Sequence, residues 1–258
     1  MRVTVCALPE GPAGLAETWA ALGAPVRSER SDLLLLPEMP CSAWLAARAT
    51  ADPAAWDEAV GDHDRGIGRF DELGVRAIAT TRPVVDGGRR FNQGIVWERG
   101  VGVREVHRKR FLPDEPGFHE ATWYDPGPDT FETVEVAGLR VAFAICTELW
   151  FHRPFRGYAH DGVHVLLCPR ATLAPSADKW LAGGRAAAVV SGAFCLSSNF
   201  AGPTAAGLDR WGGLGWVIEP EEGDVRGTTT EDAPFRTIEI DPAVADAAKR
   251  TYPRYVRT

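Results

Sequence analysis

The stretch "GVHVLLCPRATLAPSADKWLAGGRAAAVVSGAFCLSSN", residues 162–199, decides the fold class. It opens and closes on short apolar runs, 162–168 and 194–199, whose hydrophobic residues follow one another instead of alternating, as in strands covered on both faces. Between them, 177–191 is rich in alanine and spaced for a helix. Strand, helix, strand predicts an α/β protein with helices packed on sheet faces.

The same pattern continues outward. Apolar runs at 3–8, 33–36, 75–80, 92–98, 139–146, 215–219 and 236–240 read as further strands, and 12–22 and 54–73 as further helices. Two hairpins interrupt the alternation: "GIVWERGVGVREV" turns at Arg99-Gly100 and "TVEVAGLRVAFA" at Ala137-Gly138, where glycine supplies the positive φ of a tight turn. The sheet is therefore expected to be mixed. No linker or composition shift divides the chain, so residues 1–258 read as one domain. Its longest irregular tracts, 107–130 and 200–213, are flanked by strands and placed to carry function.

Composition narrows the function classes. At 258 residues, 45% hydrophobic and 24% charged, the chain has the make-up of a globular protein with a substantial core. A net charge of −7 with scattered arginines offers no basic stripe, which argues against nucleic acid and membrane as partners. The N-terminal "MRVTVCALPEGPAG" lacks a signal-peptide core, and no apolar run reaches the roughly 18 residues of a membrane span, so a cytoplasmic protein is expected. The five cysteines, at 6, 41, 146, 168 and 195, form no C-x-x-C pair and no His/Cys ligand spacing. Reduced thiols, no metal and no cofactor are expected.

One thiol stands apart. In "VAFAICTELWF" (141–151), Cys146 falls where an apolar strand runs out, the edge at which open α/β sheets place ligands. A buried packing role is the alternative, and the one that fits Cys6, Cys168 and Cys195. A thiol of pKa ~8.5 is mostly protonated at neutral pH, so a nucleophilic role needs a base or cation nearby. "LLLLPEMP" places Glu38 just past a buried strand, where desolvation would suit it to acid/base work; a solvated loop or helix-cap role is the alternative. "VHRKRFLPDEPG" puts Lys109 out of phase with its basic neighbours, facing either a cleft or, as part of a guarded edge, solvent.

Together these stretches resemble the nitrilase superfamily of carbon-nitrogen hydrolases. "LLLPE", "HRKRFLP" and "AICTE" occur in that family's order, as do a loop like "FHEATWYDPG" carrying Glu120, a helix and strand like Trp180 to Gly202, and a late strand like "GLGWVIEPEEGDV". The chain departs from the family at Thr147, usually aromatic, at His107 and Phe111, usually tyrosine and histidine, and at Trp216. The resemblance implies a four-layer α-β-β-α sandwich of two mixed sheets. It also implies hydrolysis of a small amide or N-carbamoyl compound through a thioester on Cys146, with Glu38 as base, Lys109 as oxyanion cation and Glu120 holding Lys109 or orienting substrate.

Thr147, Trp150, Arg170 and Trp44 are the expected substrate-binding residues. Trp44 and Trp150 could wall an acyl pocket or simply pack. Arg170 could meet an anionic substrate group in bidentate geometry or form an ion pair with Glu148. Competing readings are a nitrilase acting on nitriles, a papain-like hydrolase using His152, and an inactive binding homologue. The family also implies a homodimer or larger homo-oligomer, in which the C-terminal helix and tail, 241–258, could cross onto a partner subunit.

Overall fold

The computed structural model describes residues 1–256, apart from the side chains of 12–18 and 20. The chain builds its first sheet first: β1 (Arg2–Pro9), β2 (Leu33–Leu35) and β3 (Ala77–Asp86) are parallel, and β4 (Arg89–Glu98) and β5 (Gly102–Arg108) extend them as antiparallel hairpins. Helices α1 (Gly11–Ser28) and α2 (Pro53–Ile67) connect the parallel strands. An excursion through the small hairpin of β6 (Asp114–Glu115) and β7 (Phe118–His119), and then the single turn α3 (Glu120–Trp123), leads to the second sheet. There β8 (Thr133–Val136) pairs antiparallel with β9 (Leu139–Phe143), and β9, β10 (Val165–Pro169) and β11 (Phe194–Gly202) are parallel, linked by α4 (Arg153–His160) and α5 (Ala177–Ser191). The antiparallel β12 (Trp211–Gly212), β13 (Trp216–Ile218) and β14 (Val225–Thr228) follow. Finally β15 (Phe235–Glu239) returns to pair with β1, and α6 (Pro242–Ala248) follows it.

Side-chain alternation along these strands makes the layers. Val3, Val5, Leu33 and Leu35 of the first sheet meet Val141, Phe143, Val165 and Leu167 of the second in one core between the sheets. Their neighbours face outward: Cys6, Leu8 and Leu34 onto Leu22 and Val26 of α1, and Ala142, Leu166 and Cys195 onto Ala187 and Ala188 of α5. The result is the expected four-layer α-β-β-α sandwich of mixed sheets. Both faces of each central strand are covered, which is why those strands read as unbroken apolar runs.

The two sheets are stitched at β1. Arg2–Cys6 pair with β15, but Ala7–Pro9 pair with Asn199–Ala201 of β11, so the C-terminal ends of strands from both sheets meet. The Glu38 N–H reaches the Arg170 carbonyl across this seam, at 3.4 Å.

Some boundaries differ from the sequence reading. The helix expected over 54–73 stops at Ile67, where Gly66 and Gly68 weaken it, and a 3-10 turn covers Phe70–Leu73. The strand expected over 139–146 ends at Phe143, and Cys146 opens a 3-10 turn, Cys146–Trp150. No helix among the described residues is long and apolar enough to cross a membrane. Through Val256 the tail lies against its own chain: Arg254 donates to the Val189 carbonyl (3.0 Å), and Arg156 to that of Val256 (2.6 Å). Its last residues, Arg257 and Thr258, lie outside the described residues.

Candidate active site

Four loops, each leaving the end of a strand, converge. After β2, Pro37 and Glu38 are fixed from β3: the Thr80 hydroxyl donates to the Pro37 carbonyl (2.9 Å), and the Met39 N–H donates to Thr81 Oγ1 (2.9 Å). Lys109 follows β5, its N–H bonded to the Asn92 carbonyl (2.9 Å). Its ammonium, fully buried, donates to Glu38 Oε1 (2.8 Å) and lies 2.6 Å from Glu120 Oε2. The Tyr124 hydroxyl, one helical turn beyond Glu120, donates to that same Oε2. Asn92 Nδ2 donates to Glu38 Oε1 as well (2.7 Å). Oε1 of Glu38 thus takes two donors, while its Oε2, equally buried, has no hydrogen-bond partner among the described residues.

Cys146 sits at φ 47°, left-handed backbone that a β-carbon disfavours, at the corner between strand and 3-10 turn. Glu148 holds the corner. Its buried carboxylate accepts the N–H of Ile145 (2.8 Å) and of Arg110 (2.7 Å), and both its oxygens lie 2.9 Å from His107 Nε2. One side chain therefore ties the cysteine turn to the segment carrying Lys109. Glu148→Ala should destabilise the protein by about 3 kcal/mol, because buried donors lose their acceptor; urea unfolding measures it, and a loss below about 1 kcal/mol would refute this clamp.

Burial pushes the Cys146 thiol well up, the Glu38 and Glu120 charges push the same way, and the Lys109 ammonium only partly opposes them. The thiol therefore rests protonated at neutral pH and needs a base. Burial alone would lower Lys109, but Glu120 and Glu38 outweigh it and keep the ammonium charged. Burial also pushes Glu120 up to about 7, against the pull of Lys109.

Cys146 opens on a cavity of about 500 Å³, walled by Thr147, Trp150, Trp180, Phe118, Ala171 and Leu173. Asn199 holds Thr172 of this lining: Oδ1 accepts the Thr172 N–H (2.9 Å) and Nδ2 donates to the Thr172 carbonyl (3.0 Å). Glu10 ties the surrounding loops, accepting from the N–H groups of Trp44 (2.7 Å) and Ala205 (2.9 Å) and from Trp211 Nε1 (2.7 Å). Among the described residues no group of three or more His, Cys, Asp or Glu is arranged to hold a metal.

A family model described as carbon-nitrogen hydrolase matches residues 2–250. The chain belongs to the carbon-nitrogen hydrolase family. The N-carbamoylputrescine amidase of Solanum tuberosum is 33% identical over 66 residues, 26% of this chain and 22% of that protein. The citrullinase of Francisella tularensis subsp. tularensis is 29% identical over 86 residues, 33% of this chain and 30% of that protein. The chain thus spans less than a third of the length of these relatives. Two solved structures share the fold over nearly the whole chain. A carbon-nitrogen hydrolase from Helicobacter pylori G27 has a TM-score of 0.86 at 19% identity, covering 98% of this chain and 94% of that one. A variant of the Nesterenkonia AN1 amidase, from the nitrilase superfamily, has a TM-score of 0.77 at 20% identity, covering 96% and 94%.

In this member of the carbon-nitrogen hydrolase family Glu38, Lys109, Glu120 and Cys146 lie together, and Thr147 and Trp150 reach the cavity. Trp44 lies behind it, packed on Phe118 and Trp211 with its Nε1 on the Gly117 carbonyl (3.0 Å). Arg170 does neither thing expected of it. Its guanidinium is fully buried, bonded to Ser197 Oγ (2.7 Å), Thr172 Oγ1 (2.6 Å) and the Leu214 carbonyl, and it stacks on Trp216. Strand parity explains this: Leu166 and Cys168 face the outer helices, and Arg170 continues their side. His152, the base a papain-like site would need, is exposed at the start of α4 against Phe155.

Asn92, Tyr124 and Glu148, which the sequence reading does not name as site residues, hold Glu38, Glu120 and the cysteine turn. Asn92 carried a signal, as a polar residue inside an apolar strand; Tyr124 carried one too, as an aromatic hydroxyl close after Glu120.

Proposed function

We propose that this carbon-nitrogen hydrolase cleaves a small non-peptide amide, or an N-carbamoyl compound, to an acid plus ammonia or an amine through a thioester on Cys146. The observation that carries the reading is the unpartnered Oε2 of Glu38, buried beside a protonated thiol while Oε1 is pinned by Lys109 and Asn92. A carboxylate with one oxygen anchored and the other free is oriented to take a proton.

Glu38 Oε2 accepts the thiol proton as Sγ bonds to the carbonyl carbon. The oxygen that becomes negative is held by the Lys109 ammonium and the Thr147 N–H. Collapse breaks the C–N bond, and Glu38 returns its proton to the leaving nitrogen. Glu38 then takes a proton from water, hydroxide adds to the thioester carbon, and the acid leaves as Sγ recovers the proton. Glu120, itself held by Tyr124, keeps Lys109 in place throughout. The likeness to an N-carbamoylputrescine amidase, a citrullinase and an amidase supports an amide-like scissile bond.

Ammonia release from a panel of amides, N-carbamoyl compounds and nitriles tests the reading. Turnover of nitriles with none of amides would overturn it in favour of a nitrilase. On the best substrate, Glu38→Gln should fold normally, since the amide can keep its oxygen toward Lys109 and Asn92, while kcat/KM falls about 10²–10⁴-fold.

A further inference from the structure

We propose that the Trp150 ring, seated on the bare backbone of Gly183, sets the size of the acyl group that the Cys146 cavity admits. The inference rests on the amide-hydrolase reading above and names the substrate feature that site selects. Trp150 closes the turn that Cys146 opens, and its ring meets that of Trp180 at 5.3 Å between centroids. Trp180 and Gly183 lie three residues apart on α5, so one helix meets the ring at both places. A β-carbon at position 183 would stand 2.9 Å from Trp150 Cη2 and 3.0 Å from Cζ3, closer than side chains pack. The ring therefore occupies the space that any larger residue at 183 would fill.

The neighbouring part of the wall is built differently. Gly184 makes the same room for Trp216, whose Cζ2 would lie 2.8 Å from a β-carbon there, but Trp216 is fully buried. The buried Arg170 guanidinium lies over it at 4.0 Å and reaches the Trp180 ring at 5.7 Å. That stack braces Trp180 from behind. Trp150, in contrast, is 37% exposed, so it is the part of the wall with room to shift.

The cavity is lined by Ala171, Leu173, Phe118 and the hydroxyl-bearing Thr147 and Thr172, whereas the charged Glu115, Lys179 and Asp209 of its lining are exposed. An uncharged, largely apolar acyl group matches that interior, because a charge there would lose water without gaining a partner. Its permitted bulk is then fixed by Trp150.

Gly183→Ala tests this, with Trp150→Ala as its opposite. Alanine favours the helix interior, so the first variant should fold, and a thermal melt checks it. Its methyl group should push the ring off α5 into the cavity. Two ratios are read: kcat/KM for phenylacetamide over acetamide, and the Cys146 alkylation rate by iodoacetanilide over iodoacetamide, followed by intact mass. Gly183→Ala should lower both about tenfold, the penalty of overpacking a wall, and Trp150→Ala should raise both. Ratios in Gly183→Ala at or above wild type, or in Trp150→Ala at or below it, would overturn the proposal. Should the wild type cleave no amide, the amide reading fails, and the alkylation ratio still decides whether Trp150 limits the cavity.

Discussion

Cys146→Ala should melt as the wild type does and retain less than about 10⁻⁴ of its amide turnover. The fold should survive because the substitution removes only a sulfur that lines the cavity, with one weak contact to the Ala171 carbonyl at 4.0 Å. Turnover should not survive, because every intermediate of the proposed reaction is bonded to Sγ. No other cysteine offers a substitute: Cys6, Cys41, Cys168 and Cys195 are buried, and none of them lines the cavity. Brief iodoacetamide treatment followed by intact mass gives an independent reading, one adduct on wild type and none on the variant. Appreciable hydrolysis by Cys146→Ala would rule the nucleophile out.

Lys109→Met should be the most damaging substitution for stability, costing about 3–5 kcal/mol and lowering kcat/KM by at least about 10²–10³. Methionine fills nearly the same volume, so the loss is electrostatic. The ammonium is the cation between two buried carboxylates, and without it Glu38 and Glu120 face each other uncompensated. The pH dependence follows from the sign of the change. Glu120 is already raised to about 7 with Lys109 present, first by burial and further by Glu38. Removing the cation raises it again, so the folded variant takes up protons that the unfolded chain does not, and acid relieves the repulsion. The stability deficit relative to wild type should therefore be larger at pH 8.5 than at pH 5.5. Urea titrations at both pH values measure it, and an equal deficit at both would show that the loss is packing rather than charge.

The predictions differ in how far sequence alone could have carried them. Glu38 and Cys146 were legible because each follows an apolar run at its end, where strands of an α/β protein face the ligand edge, and Lys109 because it falls out of phase with its basic neighbours at a strand end. Glu120 opens the short turn α3 rather than ending an apolar run, and was legible only through the resemblance. Arg170 was misread. Its position at a strand end suggested the cavity, but its parity with Leu166 and Cys168 sends the guanidinium to the outer face, where Ser197, Thr172 and Trp216 take it up. Trp44 follows Glu38 closely in sequence, yet Phe118 of the distant β7 comes between it and the cavity.

By itself the sequence determined the element types, the mixed sheets and the chemical groups gathered at the strand ends, because apolar period and turn chemistry act over a few residues. Only the tertiary structure decided which oxygen of Glu38 stays free, what Glu148 clamps and how Gly183 seats Trp150. Most of those contacts join residues about 30 to 70 positions apart, and their geometry exists only once the two sheets meet at β1 and α5 lies on the second.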